Sequence, residues 1–434
     1  MLLGQKRAIA APVVKPEGKQ HSTHATSLAP CGPRGSSCLA RARVGISLET
    51  HADISIGRHK PIYKNANFPT DAEGRTYHLG TKEGEVAPRI LSVGSVSRAQ
   101  LLSTLLDAPA PGKPLFQRTS SRGFLTITGL YEGQPVSIVS THMGMPNMDF
   151  VVRENRAVVR GQMAIVRLGT CGAVQRPAKL GDLLIASHGS ISIRRDPDYW
   201  SLLESASHHH TAGNGDSNCA SCNNNSSNMN GLAVHASINT NGATAGTNGQ
   251  THGAGSNSSN CMIGRKPYTV AMRVPADAQL AALLAAEAER VVGAERVVHG
   301  LNASADSFYS SQGRTGSDFD DRNEGLLGEL VAAHPDLVSL EMETFQLLDL
   351  ARCSRGSIKA IGMCVALAER YSNAFLEYSK LEELEISGGT AALRALVRLP
   401  LDANLASASV ATRTTDEGAG TASMEERRVQ YVWE

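Results

Sequence analysis

Three arginines stand where apolar, strand-like runs give way to glycine-containing segments. Arg98 follows VGSVS, Arg122 precedes GFLTITG, and Arg167 lies inside AIVRLGTCGA. A guanidinium at the end of an apolar strand is costly to bury unless an anion meets it. The run Gly169–Thr170–Cys171–Gly172, expected to be a turn, sets a hydroxyl and backbone N–H groups beside Arg167, and Gly94 offers N–H groups of the same kind. The planar fork of arginine suits phosphate oxygens in bidentate geometry, so one phosphate group accounts for all three residues together. The competing explanation for any one of them is a salt bridge to an internal carboxylate.

Glu341-Met342-Glu343 places two carboxylates around a methionine at the end of an apolar run. A half-buried carboxylate persists where hydroxyl donors satisfy it, and vicinal sugar hydroxyls are suited to that task. The plainer alternative is an acid favoured by the dipole of the helix that follows. FYSSQGR (308–314) sets an amide and a guanidinium one residue apart behind two rings. The Gln312 side chain presents an acceptor and donors that complement N3–H and O2 of uracil, Arg314 can donate to O4, and Phe308 supplies a ring beside sugar or base. No adenine edge offers that face.

These residues need a scaffold, and the flanking pattern describes one. RILSVG (89–94) is a short apolar run followed by SRAQLLSTLLD with helical spacing. FLTITGLYEGQPVSIVST (124–141) reads as a hairpin turning at 131–134. DFVVRENRAVVR reads as a helix, MAIVRLG and DLLIAS as buried strands, ADAQLAALLAAEAERVV as an amphipathic helix and ERVVHGLNAS as a further strand. LVSLEMETFQLLDLAR passes from strand to helix, and IKAIGMCVALA is a last buried strand. Strands that are apolar throughout and alternate with helices indicate an α/β sheet covered on both faces, with ligands at the strand ends.

Two segments fall outside any core. Residues 1–66 read as a disordered leader, with a weaker likeness to an organelle transit peptide, and about 205–260 reads as an Asn/Gly/Ser-rich insertion. Without them about 300 residues remain, enough for a single domain over 67–434 interrupted by the insertion. His208, His209, His210, Cys219 and Cys222 in the insertion include a C-x-x-C, but the surrounding sequence supplies no second shell, and no metal site is expected there. The charge balance, 42 basic against 41 acidic residues, argues against a nucleic-acid partner. No apolar run is long enough to span a bilayer, and the eight scattered cysteines suggest reduced, cytoplasmic usage.

From Tyr77 to about Asn373 these motifs resemble the nucleoside phosphorylase family, in particular its uridine phosphorylase branch. The resemblance implies a three-layer α/β/α sandwich with a central mixed sheet. It implies phosphate on Gly94, Arg98, Arg122, Arg167 and Thr170. It implies ribose on His78, Thr170, Met342 and Glu343, and uracil on Phe308, Gln312 and Arg314, with the four arginines catalytic. The reaction implied is reversible phosphorolysis of uridine to uracil and ribose 1-phosphate in pyrimidine salvage. Phosphate is then a co-substrate, and no organic cofactor is needed. His78 and Arg122 are the family's residues that reach a neighbouring subunit's site, so a homodimer or a ring of dimers is expected. The chain departs from the family pattern at Ser95, at THMGMP with its His142, and at Gly123, where some relatives carry a glutamate near an interface metal ion. That metal is left open. Glu369 falls near the acid that protonates the base in purine-acting relatives. The alternatives are therefore a purine or broad-specificity phosphorylase of this fold, or a non-catalytic nucleoside-binding protein.

Overall fold

A computed structural model describes residues 62–203, 266–316, 318–405 and 429–434. Residues 1–61 of the expected leader, the insertion at 205–260 and its His/Cys cluster lie outside the described residues. At the expected leader boundary, Lys64 forms an antiparallel bridge with Thr70.

Thirteen strands form one mixed sheet. They are β1 (Arg89–Val93), β2 (Phe116–Thr119), β3 (Leu125–Tyr131), β4 (Gln134–Ser140), β5 (Met163–Ala173), β6 (Leu183–Ile185), β7 (Ser190–Arg195), β8 (Tyr268–Val270), β9 (Val297–His299), β10 (Leu301–Ala305), β11 (Leu337–Glu341), β12 (Ile358–Glu369) and β13 (Ala374–Phe375). The main path runs β2-β3-β4-β1-β5-β11-β10-β7-β8, with β12 alongside β5 and joined to β6 and β13.

Successive residues of a strand face opposite sides, and here they enter two different cores. Leu91, Val166 and Ile361 pack with Leu102, Leu284 and Leu396 from the helices Val96–Ser103, Ala278–Val292 and Leu381–Arg398. Their neighbours Ile90, Ile165 and Ala360 pack with Met148, Val152 and Leu348 from the helices Met145–Val158 and Thr344–Cys353. The result is the three-layer α/β/α sandwich. The hairpin turns where expected, with Glu132 and Gly133 both at positive φ, the backbone that suits a tight two-residue connection.

Two local expectations need correction. Gly169–Gly172 is not a turn, and Arg167 is not at a strand end: β5 continues to Ala173 because β12 pairs with it in parallel from Met163 to Ala173. VVHGLNAS is two strands, broken at Gly300, where a Cβ would meet the Asp336 carbonyl and the Val338 methyls at 2.7 Å.

The other edge of β5 decides where a ligand can enter. β1 covers residues 164–168 and β11 covers only Gly172 and Ala173, antiparallel. Between those two partners, residues 169–171 carry no strand on that edge. The sheet splits there, and the split is the cleft.

Candidate active site

One side of the cleft begins at the end of β1. Ser95 caps the helix Val96–Ser103 by accepting the Arg98 N–H at 3.2 Å, a standard N-cap contact. The Arg98 side chain is buried, with Nε donating to Glu385 at 2.7 Å and Nη1 to the carbonyl of Leu168, the last β5 residue that β1 covers, at 3.3 Å.

Arg167 is 3% exposed. Its Nε donates to Glu341 at 3.3 Å, Nη2 is paired with Glu343, and Nη1 has no hydrogen-bond partner. The internal-carboxylate explanation weighed for these arginines therefore describes Arg98 and Arg167 as this structure stands. Arg122 instead donates to the Tyr77 hydroxyl at 3.0 Å and stacks over its ring.

The two acids of the Glu-Met-Glu run have different partners. Glu341 accepts the N–H groups of Glu343 at 2.9 Å and Thr344 at 3.0 Å and the Ser304 hydroxyl. It therefore serves the start of the helix Thr344–Cys353. Glu343 takes the Gly144 N–H and faces Arg167. Burial lifts the Glu343 carboxyl above its ordinary value; Arg167 pulls it down and Glu341 pushes it up. Burial works against the Arg167 charge, but Glu343 and Glu341 together raise its pKa.

The FYSSQGR segment is a loop fixed from outside. Asn323 donates to the Ser310 and Arg314 carbonyls at 2.9 and 3.0 Å. Ser311 is hydrogen-bonded to Asp306, and Gln312 is buried. The Arg314 guanidinium lies 4.0 Å from the centroid of the Phe308 ring, and its Nε donates to the Phe308 carbonyl at 3.0 Å. Arg370, which the sequence did not single out, donates from Nη2 to the Gly313 carbonyl at 3.2 Å and keeps a buried Nη1 without a partner. Burial lowers the pKa of both Arg314 and Arg370, and Arg314 lowers Arg370 further. A Cβ on Gly172 would meet Arg370 Cγ at 2.9 Å, so glycine there lets Arg370 lie against β5.

Gly94, Arg98, Arg167, Thr170, Phe308, Gln312, Arg314, Met342 and Glu343 all line one cavity of about 260 Å³. His78 and Arg122 do not. They line a separate concavity of about 420 Å³ with Phe150, and His142 borders both spaces. There the His78 ring stacks on Phe150 at 3.7 Å, and its Nδ1 contacts the buried Glu154 carboxylate at 2.6 Å. His142, at φ 59°, contacts the Gly123 carbonyl through Nε2 at 3.0 Å. Glu369 does not line the cavity; its carboxylate accepts from the Leu180 N–H at 3.2 Å and the Ser372 hydroxyl at 2.6 Å. Among the described residues no group of His, Cys, Asp or Glu is arranged to hold a metal ion. No helix among them is long and apolar enough to cross a membrane.

Arginines at a sheet split, a carboxylate pair and an amide–guanidinium loop thus surround the same small cavity. The family model described as the phosphorylase superfamily matches residues 88–396, and the chain belongs to that superfamily, among the nucleoside phosphorylases. A solved structure from work on two uridine phosphorylases of the oomycete Phytophthora capsici is 38% identical with a TM-score of 0.61, covering 78% of this chain and 100% of that one. A Trypanosoma brucei nucleoside phosphorylase, described as showing uridine phosphorylase activity, shares the fold at 20% identity and a TM-score of 0.53, over 76% of this chain and 100% of that one. Uridine phosphorylase of Thermococcus kodakarensis is 33% identical over 124 residues, 29% of this chain and 42% of that protein. A DeoD-type purine nucleoside phosphorylase of a Geobacillus strain is 35% identical over 114 residues, 26% of this chain and 46% of that protein. The chain thus spans less than half the length of these last two relatives.

Proposed function

We propose that the protein is a uridine phosphorylase of pyrimidine salvage, converting uridine and phosphate reversibly to uracil and ribose 1-phosphate. The observation that carries this is the pinned loop bearing Gln312 and Arg314, which faces the same cavity as Arg98, Arg167 and Glu343. Carboxylates hold part of each phosphate-side guanidinium, and the unpartnered Nη1 of Arg167 is a donor left for an incoming anion. The Gly94 N–H and the Thr170 hydroxyl complete that cradle. Glu343 and Met342 meet the ribose.

Phosphate attacks C1′, the glycosidic bond breaks, and the bond's electron pair leaves with the pyrimidine. Its negative charge spreads onto the ring oxygens, where Arg314 at O4 and Gln312 at O2 stabilise it more in the transition state than in the substrate. Phosphate is the nucleophile, so the chain need supply no covalent one, and alignment of two bound substrates contributes much of the rate. His78 and Arg122 lie apart from the chain's own cavity, which supports a homodimer, or a ring of dimers, in which they serve the neighbour's site. Buried free thiols at Cys171 and Cys364 suit a reducing compartment such as the cytoplasm.

Uracil release from uridine, measured with and without added phosphate, tests the reading. Release that requires phosphate is expected. Release independent of phosphate would make the protein a hydrolase. The likeness to a purine-acting relative supports a second reading, which inosine turned over as fast as uridine would favour.

A further inference from the structure

We infer that Glu385 is a positioning residue for phosphate, acting through Arg98; the inference rests on the phosphorolytic reading above. Glu385 lies on the helix Leu381–Arg398, is 9% exposed, and takes the Nε–H of Arg98 at 2.7 Å and Nη2 at 2.6 Å on the same carboxylate oxygen. That clamp uses one edge of the guanidinium. Nη1 is left beside Gly94, where a Cβ on the glycine would lie 3.7 Å from it, and within reach of the Leu168 carbonyl at the sheet split. The Arg98 backbone is fixed as well, through its N–H to Ser95. With Nε, one Nη2 hydrogen and one Nη1 hydrogen so engaged, the guanidinium is held in one orientation against the cavity that Gly94, Arg98 and Arg167 share, and one N–H remains on each of Nη1 and Nη2.

A second feature of the helix explains how the carboxylate reaches this far. Gly388 and Gly389 stand three and four residues after Glu385, on the same helix face. A Cβ at Gly388 would meet Leu168 at 2.9 Å, and one at Gly389 would meet Leu102 at 2.4 Å. Two adjacent glycines weaken a helix interior. Here they let the backbone press directly on β5 and on the helix that carries Arg98, so that a short glutamate side chain spans the remaining gap. A carboxylate next to an anion-binding arginine would by itself repel phosphate. Its benefit is orientation: the guanidinium is held edge-on before phosphate arrives, which lowers the ordering cost of binding.

The test uses the full chain with Glu385→Ala and Glu385→Gln, varying phosphate and uridine separately in initial-rate assays. Loss of a charge-assisted hydrogen bond at this site should raise the KM for phosphate about tenfold or more in the alanine variant, with the KM for uridine changed by less than about twofold. The glutamine variant keeps an acceptor and should recover most of the loss. A second readout needs no turnover: inorganic phosphate alone should raise the Tm of the wild type, and much less that of Glu385→Ala. An alanine variant with lowered Tm but unchanged phosphate KM and phosphate-induced shift would reduce Glu385 to a structural ion pair and overturn the inference. Tighter phosphate binding by Glu385→Gln would overturn it too, since Glu385 would then be a competitor. Should the alanine variant not fold, the glutamine variant decides by the same split between substrates. A wild type without phosphate-dependent uracil release would sink the functional reading alone; the phosphate-induced Tm shift would still judge Glu385.

Discussion

The Arg167 guanidinium and the Glu343 carboxylate form an ion pair inside the sheet, with Glu341 beside it on the Nε of the same guanidinium. Arg167 sits in the middle of β5 and is buried, so this charge has no path to swing out to water. The arginine proposed to hold phosphate is thus paired with the carboxylate proposed to hold ribose, and the two substrates would divide that pair between them.

Arg167→Ala should therefore cost stability as well as activity. It leaves two buried carboxylates without their cation, a class of change that costs roughly 3–5 kcal/mol. Urea unfolding of the variant should show a clearly lowered midpoint, and phosphorolysis should fall below detection. A wild-type midpoint would mean that the pair contributes nothing to the fold, and near-normal turnover at saturating phosphate would remove Arg167 from the phosphate site.

The pH dependence of stability follows from Glu343. Burial raises its folded-state pKa above the ordinary value. A raised pKa means that the folded chain holds the proton more tightly than the unfolded chain. The stability so gained is complete below the unfolded value and is lost as pH rises through the folded one. Glu343→Gln removes the titration. Unfolding free energies of wild type and variant should diverge in the variant's favour as pH rises upward from the usual carboxylate range, and parallel curves would show that Glu343 titrates normally.

Gln312→Ala and Arg314→Ala should each lower kcat/KM on uridine by roughly a hundredfold or more, because each leaves part of the base edge unpaired. Arg314→Ala should weigh more on kcat, since Arg314 faces charge that appears as the base leaves. Inosine should be rejected by the wild type. Uridine turnover unaffected by Arg314→Ala would move the reading toward a purine or broad-specificity enzyme.

Shared sites can be tested by mixing. Arg122→Ala and Arg314→Ala chains should each be nearly inactive alone, because each spoils every site in a homodimer. Mixed dimers formed by refolding the two together contain one site with both arginines intact, so activity should return to about a quarter of wild type for random pairing. No recovery, with dimers confirmed by light scattering, would place Arg122 in its own chain's chemistry.

Replacing residues 205–260 by a short Gly/Ser connection should leave uridine turnover and solubility nearly unchanged. The described chain on either side is already closed: Arg195 pairs with Tyr268 across β7 and β8, and the Asp196 N–H donates to the Pro267 carbonyl at 2.9 Å. Joint loss of solubility and activity would show that the insertion packs on the domain or binds a ligand that the domain needs.

Much of this was legible one segment at a time. The helix Ala278–Val292 announces itself by apolar spacing, by Asp277 accepting the Leu280 N–H at its start and by Gly293 at its end. β5 and β12 are apolar throughout, as strands covered on both faces must be. VGSVSRA, VRLGTCGA, Glu-Met-Glu and FYSSQGR are short motifs whose residue types stand out in the sequence, and residues from each of them line the cavity.

Other features depended on which segment meets which. The carboxylate that grips Arg98 lies 287 positions away, and no spacing relates the two. The sequence offered two acids around Met342, but only the packing of Ser304 and the helix start made Glu341 the backbone's partner and left Glu343 to face Arg167. The same holds for β5. Its glycines looked like a turn, because glycine in isolation signals freedom; the backbone stays extended because β12 supplies a hydrogen-bonding partner along its full length. Residue type and short-range spacing thus determined the elements and the chemistry they carry. The tertiary structure decided the strand that lends β5 its length, the edge that stays open, and the carboxylates that meet Arg98 and Arg167, because those outcomes are set by register and packing between segments far apart in the chain.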